Sequence, residues 1–317
     1  MRGTNGARGW RRGSTLVAVF WLMSILGMAL FSAITLLKFE SDMTISQTQG
    51  TRARHYAEMG IAVGANPVVE RDDPILQQVF DEGRGGFMCR IKSEADKFDI
   101  NLLLSNQDPI ADDKGWLREL FFDWGMELED AQDLADALVD WVDTNDLEEM
   151  NGAETEYYES IGYIDRPFNR PFYSLDEMRL VRGMNLLEQV NPNWQDWFTV
   201  WTQSGVDVNE ADADILSLAL NISIEDADII TETVRGPDGI RGTEDDVPFQ
   251  SVDDALSLLY LPEEQLAQVQ HRVSANGSTV RLESTGWSGD VKRQIVLIIR
   301  NREGNPTLLE RFERIVQ

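Results

Sequence analysis

The chain has 317 residues, 42% hydrophobic and 26% charged, with 55 Asp plus Glu against 28 Lys plus Arg and a formal charge of −27. That composition describes a globular protein with room for two or three compact units, and a surface this acidic repels phosphate backbones and excludes nucleic acid as a partner. Two histidines (His55, His271) and one cysteine (Cys89) leave no disulfide framework, no CxxC, no Cys/His zinc set and little from which to build a His-based triad.

Residues 1–13 hold Arg2, Arg8, Arg11 and Arg12 and no acid, so the rest of the chain carries −27 − 4 = −31. From Ser14 to Leu37 there is no charge at all. As a helix that stretch spans roughly 36 Å, enough to cross a hydrocarbon core about 30 Å thick. Basic residues before it and Glu40 and Asp42 after it put the N-terminus in the cytoplasm and the remainder outside. A secretory signal peptide has a shorter apolar region, although Phe31-Ser32-Ala33 offers a weak cleavage site. The boundary Arg11-Arg12-Gly13-Ser14 resembles a type III (prepilin) signal. The resemblance implies cleavage after Gly13 and a mature, N-methylated Ser14. The helix is expected to continue as a stem through about Ala65, packing on Tyr56, Ala57, Met59, Ile61 and Ala62.

Pilin-like proteins carry Glu at the fifth mature position, where this chain has Ala18. An unpaired carboxylate in lipid is costly, so its loss fits a subunit with no other subunit ahead of it. It equally fits a degenerate, non-assembling relative.

The middle of the chain repeats itself. Asp99-Ile100-Asn101 returns as Asp207-Val208-Asn209, Glu129-Asp130-Ala131 as Glu225-Asp226-Ala227, and Phe172 to Glu177 as Phe249 to Asp254. The order in both copies is an extended Asp-x-Asn segment, a helix, an acidic loop and a Ser-capped helix, which favours duplication over chance. Ser174 with Glu177 reads as a capping box, and Ser251 with Asp254 nearly does. Over Glu129–Val142, Ala131, Leu134, Ala135, Leu138 and Val142 form a buried stripe and Asp130, Asp133, Asp136 and Asp140 the opposite face. Residues 215–227 read as two helices broken near Asn221-Ile222-Ser223. Trp116, Phe121, Phe122, Trp124 and Trp141 are expected in the core. Paired short helices also occur in DNA binders, but residues 99–160 hold 19 acids and 2 bases and residues 205–264 hold 16 and 2, the wrong sign for phosphate.

Towards the C-terminus, Thr279–Ser284 and Val291–Arg300 read as strands around a turn at Gly286-Trp287-Ser288-Gly289-Asp290. Phe87–Ile91 reads as a strand holding Cys89 as a buried free thiol. Asn276-Gly277-Ser278 reads as a hairpin turn. Glu148-Glu149 sits in no recognisable pocket, and Gly83-Arg84-Gly85-Gly86 lacks the strand–glycine–helix setting of a phosphate cradle.

Taken in order, Gly13-Ser14 with Ala18, Asp99-Ile100-Asn101, Leu138 to Asp143, Gly152-Ala153-Glu154, Tyr157-Tyr158, Asn169-Arg170-Pro171, Val181 to Met184 and Asp207-Val208-Asn209 resemble the K-type minor pseudopilins of type II secretion. The resemblance implies an α+β, pilin-like fold: a long N-terminal transmembrane helix on a small antiparallel sheet, with a large helical domain inserted. That domain comprises two SAM-like or helix-hairpin-like repeats. The implied divisions are a leader (1–13), a stem (14–66, transmembrane over 14–37), a sheet domain (67–98 and 268–317) and helical repeats at 99–204 and 205–267. The implied role is a non-enzymatic one, capping the pseudopilus tip and initiating its assembly for protein export. The implied partners are the I- and J-type minor pseudopilins, the major pseudopilin and a prepilin peptidase, at the inner membrane with the C-terminal domain periplasmic. Leu16, Ala18, Val19, Phe20, Leu22, Ile25 and Leu26 supply the membrane and assembly surface. A minor pilin of a type IV pilus or uptake machine, and a membrane-tethered calcium-binding module, are the alternatives.

Packed carboxylates invite an oxygen-loving dication, and the family is described as binding calcium. In the first acidic loop Asp143, Asn145 and Glu154 match positions 1, 3 and 12 of an EF-hand, but Leu147 and Glu148 break positions 5 and 6. A looser Ca²⁺ loop would draw on Asp143, Asn145, Asp146, Glu149 and Glu154. A second would draw on Asp238, Asp245 and Asp246. A solvated loop that binds nothing is the alternative for both.

Overall fold

The computed structural model describes residues 11–105, 112–243 and 245–316; residues 1–10 of the expected leader lie outside them. It opens with one unbroken helix, α1 (Arg11–Gly64), of 54 residues. No proline interrupts it, and Ser24, Thr35, Thr44, Thr48 and Thr51 each donate their hydroxyl to the carbonyl four residues back, so its polar side chains are satisfied along the helix. The expected cleavage point Gly13-Ser14 falls within its first turn.

The far half of α1 lies on an antiparallel sheet in the order β1-β2-β7-β8-β9, in which β7 is Thr279–Ser288, β8 Val291–Arg300 and β9 Thr307–Val316. Two strands precede the helical insertion, β1 (Gln77–Phe80) and β2 (Gly85–Ser93). Helix and sheet meet at backbone distance. A Cβ on Gly286 of β7 would stand 2.1 Å from the Ala53 carbonyl oxygen, and one on Gly60 of α1 would stand 2.1 Å from Ser284 Oγ. The packed face is therefore Ala53, Ala57, Gly60 and Gly64; Met59 and Ala62, expected on it, are exposed, because only small residues fit a helix this close to a strand. Cys89 is buried there as a free thiol, and burial pushes its pKa up to about 12. Arg302 closes the helix end by donating to the carbonyls of Gly64, Asn66 and Val69.

Residues 94–278 are inserted between β2 and β7, whose adjoining ends pair as Ser93 with Val280. The first unit runs through β3 (Phe98–Asp99), α2 (Ile100–Ser105), α3 (Asp113–Asp123), α4 (Leu128–Val142), α5 (Thr155–Ser160), α6 (Leu175–Met178), α7 (Met184–Val190) and β4 (Phe198–Thr199), and β4 returns to pair in parallel with β3. The second runs through β5 (Val206–Asp207), α8 (Ala213–Leu220), α9 (Ile224–Arg235), α10 (Val252–Leu256), α11 (Glu263–Val269) and β6 (Val273–Ser274), and β6 pairs in parallel with β5. Its last strand thus lies beyond residue 267. Asn276-Gly277 is not a hairpin turn: the Gly277 amide donates to Asp207 Oδ2, and the chain passes there from the second unit into the sheet.

Both units share one core built on Trp141, Trp194, Phe121, Phe172 and Phe198. Phe122, expected within it, is half exposed because it follows Phe121 onto the solvent face of α3. The break after Leu220 falls at Asn221, in a left-handed conformation, and Ser223 caps α9 by accepting from the Asp226 amide.

The sheet is completed by β7 (Thr279–Ser288), β8 (Val291–Arg300) and β9 (Thr307–Val316). Gly286, Trp287 and Ser288 stay in register with β2, which confines the turn to Gly289 and Asp290. The two domains are fastened by Arg71 to Glu210 at 2.6 and 2.7 Å, by Glu94 to Arg281 at 2.6 and 3.0 Å, and by Trp201 to Glu310 at 3.1 Å.

Candidate functional site: an exposed apolar stem and two acidic loops

Leu16, Val19, Phe20, Leu22, Ile25 and Leu26 all lie exposed on α1, as does Ala18. No fold contact covers them. Among the described residues α1 is the one helix long and apolar enough to cross a membrane.

The first acidic loop joins α4 to α5. Asp143 ends α4 and accepts from Asn145 N at 3.2 Å and Asn145 Nδ2 at 2.7 Å, while Asn145 Oδ1 accepts from the Leu147 amide at 2.8 Å. Asp146 Oδ1 is held by Asn169 Nδ2 at 3.0 Å. Glu149 is engaged by Lys114 Nζ at 2.9 Å, and Lys114 also reaches Asp136 at 3.1 Å. Glu154 caps α5 through Oε2, and its Oε1 is buried with no hydrogen-bond partner. Burial, with Asp140, Asp143 and Asp146 nearby, pushes the Glu154 carboxyl up to about 7. Burial also raises Asp143.

Asp136 and Asp140 point inward, against the expectation that they line a solvent face. The loop folds back over that side of α4 and covers them. Asp140, fully buried, accepts from the amides of Glu149 and Ala153 at 3.0 and 2.8 Å and is pushed up to about 6 by burial. A Cβ on Gly152 would stand 1.8 Å from Asp140 Oδ2, so the glycine lets the loop close around that carboxylate. Asp140 is the functional candidate that helical periodicity hid; its signal was Gly152-Ala153 downstream, small residues in an otherwise charged loop.

In the second loop Asp245 Oδ2 accepts from the Asp238 amide and Asp246 Oδ2 from the Gly242 amide, leaving Asp246 Oδ1 buried without a partner. Hydrogen bonds from Thr243 and the Asp238 amide hold Asp245 below the usual carboxylate range. Each loop therefore contains one orphaned buried carboxylate oxygen in an all-oxygen donor set, the chemistry a hard dication satisfies. Among the described residues no three carboxylate, histidine or cysteine side chains converge on a common point as metal ligands.

Comparison with known proteins follows the same lines. Residues 96–192, most of the first helical unit and about a third of the chain, match the family described as type II secretion system (T2SS), protein K. No curated protein sequence matches the chain. Among solved structures, a chain of the GspK-GspI-GspJ complex from the enterotoxigenic Escherichia coli Type 2 Secretion System superposes with a TM-score of 0.59 at 15% identity. The match covers 90% of this chain and 99% of that one, so the two share a fold over nine-tenths of this chain. The first helical unit is thus similar to the type II secretion protein K family, and the chain as a whole shares the fold of the solved GspK-GspI-GspJ chain.

Proposed function

We propose that the chain is a minor pseudopilin that occupies the tip of a type II secretion pseudopilus and helps initiate its assembly for protein export. One observation carries this reading. The insertion leaves the sheet at the Ser93–Val280 end, whereas the opposite end, at Gly289, lies beside Gln49 on the membrane side of α1. Two helical units so placed stand where the next subunit of a shaft would stack, and a subunit at the tip has none to accommodate. On this reading the exposed face of α1 meets the bilayer and neighbouring stems, and I- and J-type minor pseudopilins are the lateral partners, the major pseudopilin lying below. The soluble domains stand in the periplasm.

Ca²⁺ in the first loop would have to draw together oxygens of Asp143, Asp146 and Glu154, which do not converge on one point as the loop stands, with Asp140 behind them; Glu149 is already held by Lys114. In the second loop it would take Asp238, Asp245 and Asp246. The ion would supply the positive charge these carboxylates lack and would fix the loops.

The deciding experiment is intact-mass analysis of the chain expressed with and without a prepilin peptidase. A peptidase-dependent start at N-methylated Ser14 supports the reading; an uncut chain, or a start near Ile34, overturns it.

A further inference from the structure

The sheet face turned away from α1 and the first helical unit enclose a cleft of about 620 Å³, bounded by Lys92, Glu94, Asp96, Trp201, Arg281 and Phe312. Seven acids and four bases line it, and most are matched; Lys97, the exposed Asp196 and Arg314, which stacks on Phe312, form no ion pair among the described residues. Glu94 forks onto Arg281 and also accepts from Thr199, Glu283 holds Lys92 at 3.3 Å, Glu310 takes the Trp201 indole, and Asp176 holds Arg179.

Asp96 differs from these in holding a buried, unpartnered oxygen. Among the described residues no cation lies within salt-bridge distance of it, and its Oδ1 is buried without a hydrogen bond. Burial pushes its carboxyl up to about 6, and the opposing pull of Lys97 and Arg281 does not offset the loss of water. A carboxylate in this position costs the free subunit stability and is relieved by any cation delivered to the cleft.

We propose that this cleft receives a lysine or arginine side chain of a partner minor pseudopilin, with Asp96 as its counter-ion. The proposal rests on the pseudopilin reading above and adds the contact through which a partner is held. The volume suits a long side chain and not a single ion, and Asp96 with the exposed Asp196 is far short of the six to eight oxygens of a calcium shell. Trp201 and Phe312 offer aromatic walls for an alkyl stem and its charged head. The cleft also reaches β9, the last strand of the sheet, whose outer edge is unpaired and where a neighbouring sheet domain has room to approach.

The test uses the full-length chain in detergent with the I- and J-type pseudopilins of the same system, and measures affinity for each. D96N, isosteric and uncharged, is expected to weaken binding to one partner at least tenfold while leaving the chain folded and no less heat-stable. D176N, on the exposed rim, is expected to stay within twofold of wild type. Wild-type binding to both partners by D96N overturns the cleft proposal alone. Failure of the wild-type chain to bind either partner overturns the pseudopilin reading and the cleft proposal together. Asp96-dependent heat stabilisation by Ca²⁺ assigns the cleft to a metal and overturns the proposal.

Discussion

Asn101 clasps the backbone of Phe172 from both sides: its Oδ1 accepts the Phe172 amide at 2.7 Å and its Nδ2 donates to the Phe172 carbonyl at 3.0 Å. Asn209 does the same to Phe249, at 2.8 and 3.1 Å. The paired residues are 71 apart in the first unit and 40 in the second, so the clasp survives a large difference in loop length. Beside each clasp an aspartate does matching work. Asp99 and Asp207 each turn Oδ1 to the amide two residues on and Oδ2 to the chain leaving the unit. The two units share a side-chain-to-backbone lock at equivalent points, the structural counterpart of the repeat in the sequence.

Asn101→Ala and Asn209→Ala should each destabilise the unit that holds them by about 1–3 kcal/mol, since each leaves an amide and a carbonyl without their partner. Hydrogen exchange resolves the two. Asn101→Ala should expose residues 172–178 and spare 249–256, and Asn209→Ala the reverse. Loss of protection in both segments from either variant would mean that the units do not hold separate locks.

The stem contact makes a second prediction. Gly286→Val should detach α1 from the sheet, because a Cβ alone already lies 2.3 Å from the Ala57 amide nitrogen and 2.1 Å from the Ala53 oxygen. Overpacking of a rigid backbone contact costs about 3 kcal/mol or more. Gly27→Val, where nothing lies within 4 Å of the new Cβ, should leave the thermal midpoint of the soluble part unchanged. Limited proteolysis of residues 50–64 reads the difference.

The stem, two of the three long C-terminal strands, the duplicated Asp-x-Asn segments and the Ser251 cap were legible because each has a local signal: an uncharged run, alternation, or a repeated motif. What escaped the sequence depends on chain brought in from elsewhere. Of the expected stem contacts Tyr56, Ala57 and Ile61 do pack, but Met59 and Ala62 do not, because a helix lying on Gly286 selects glycine and alanine at the closest points, Ala53, Ala57, Gly60 and Gly64. Asp136 and Asp140 read as solvated because helical periodicity cannot show that a later loop folds over them. The capping box expected at Ser174 did not form either. Its hydroxyl caps nothing, and Glu177 is drawn instead to Arg170, the Trp141 indole and the Tyr173 amide.

Calcium, if held by the first loop, should produce a crossed pattern in thermal melts. In chelator, Glu154→Gln should be at least as stable as wild type, because it removes a buried charge whose Oε1 has no partner. In excess Ca²⁺ the order should reverse. Wild type then gains about 2.7 kcal/mol at a hundredfold excess over Kd, and the variant, lacking a ligand oxygen of full charge, gains less. Parallel curves for the two proteins in both buffers would remove the first loop as a calcium site.

Asp96 gives the pH dependence its sign. Its folded pKa, about 6, lies above the ordinary value of 3.8, so between those values the native chain holds a proton that the unfolded chain has released. The stability contributed by that proton is complete below pH 3.8 and is lost as pH rises through about 6. At neutral pH the native subunit then carries an uncompensated buried charge. Each unit of separation corresponds to ~1.4 kcal/mol, and partial exposure of Asp96 reduces the effect to about 1–2 kcal/mol. Asp96→Asn should therefore match wild type near pH 4 and exceed it by about that amount near pH 7, with the gap opening between pH 4 and 6. Chemical denaturation of the two proteins at pH 4, 5, 6 and 7 measures the gap directly. A variant less stable than wild type at pH 7 would show that a partner within the fold already compensates the Asp96 charge.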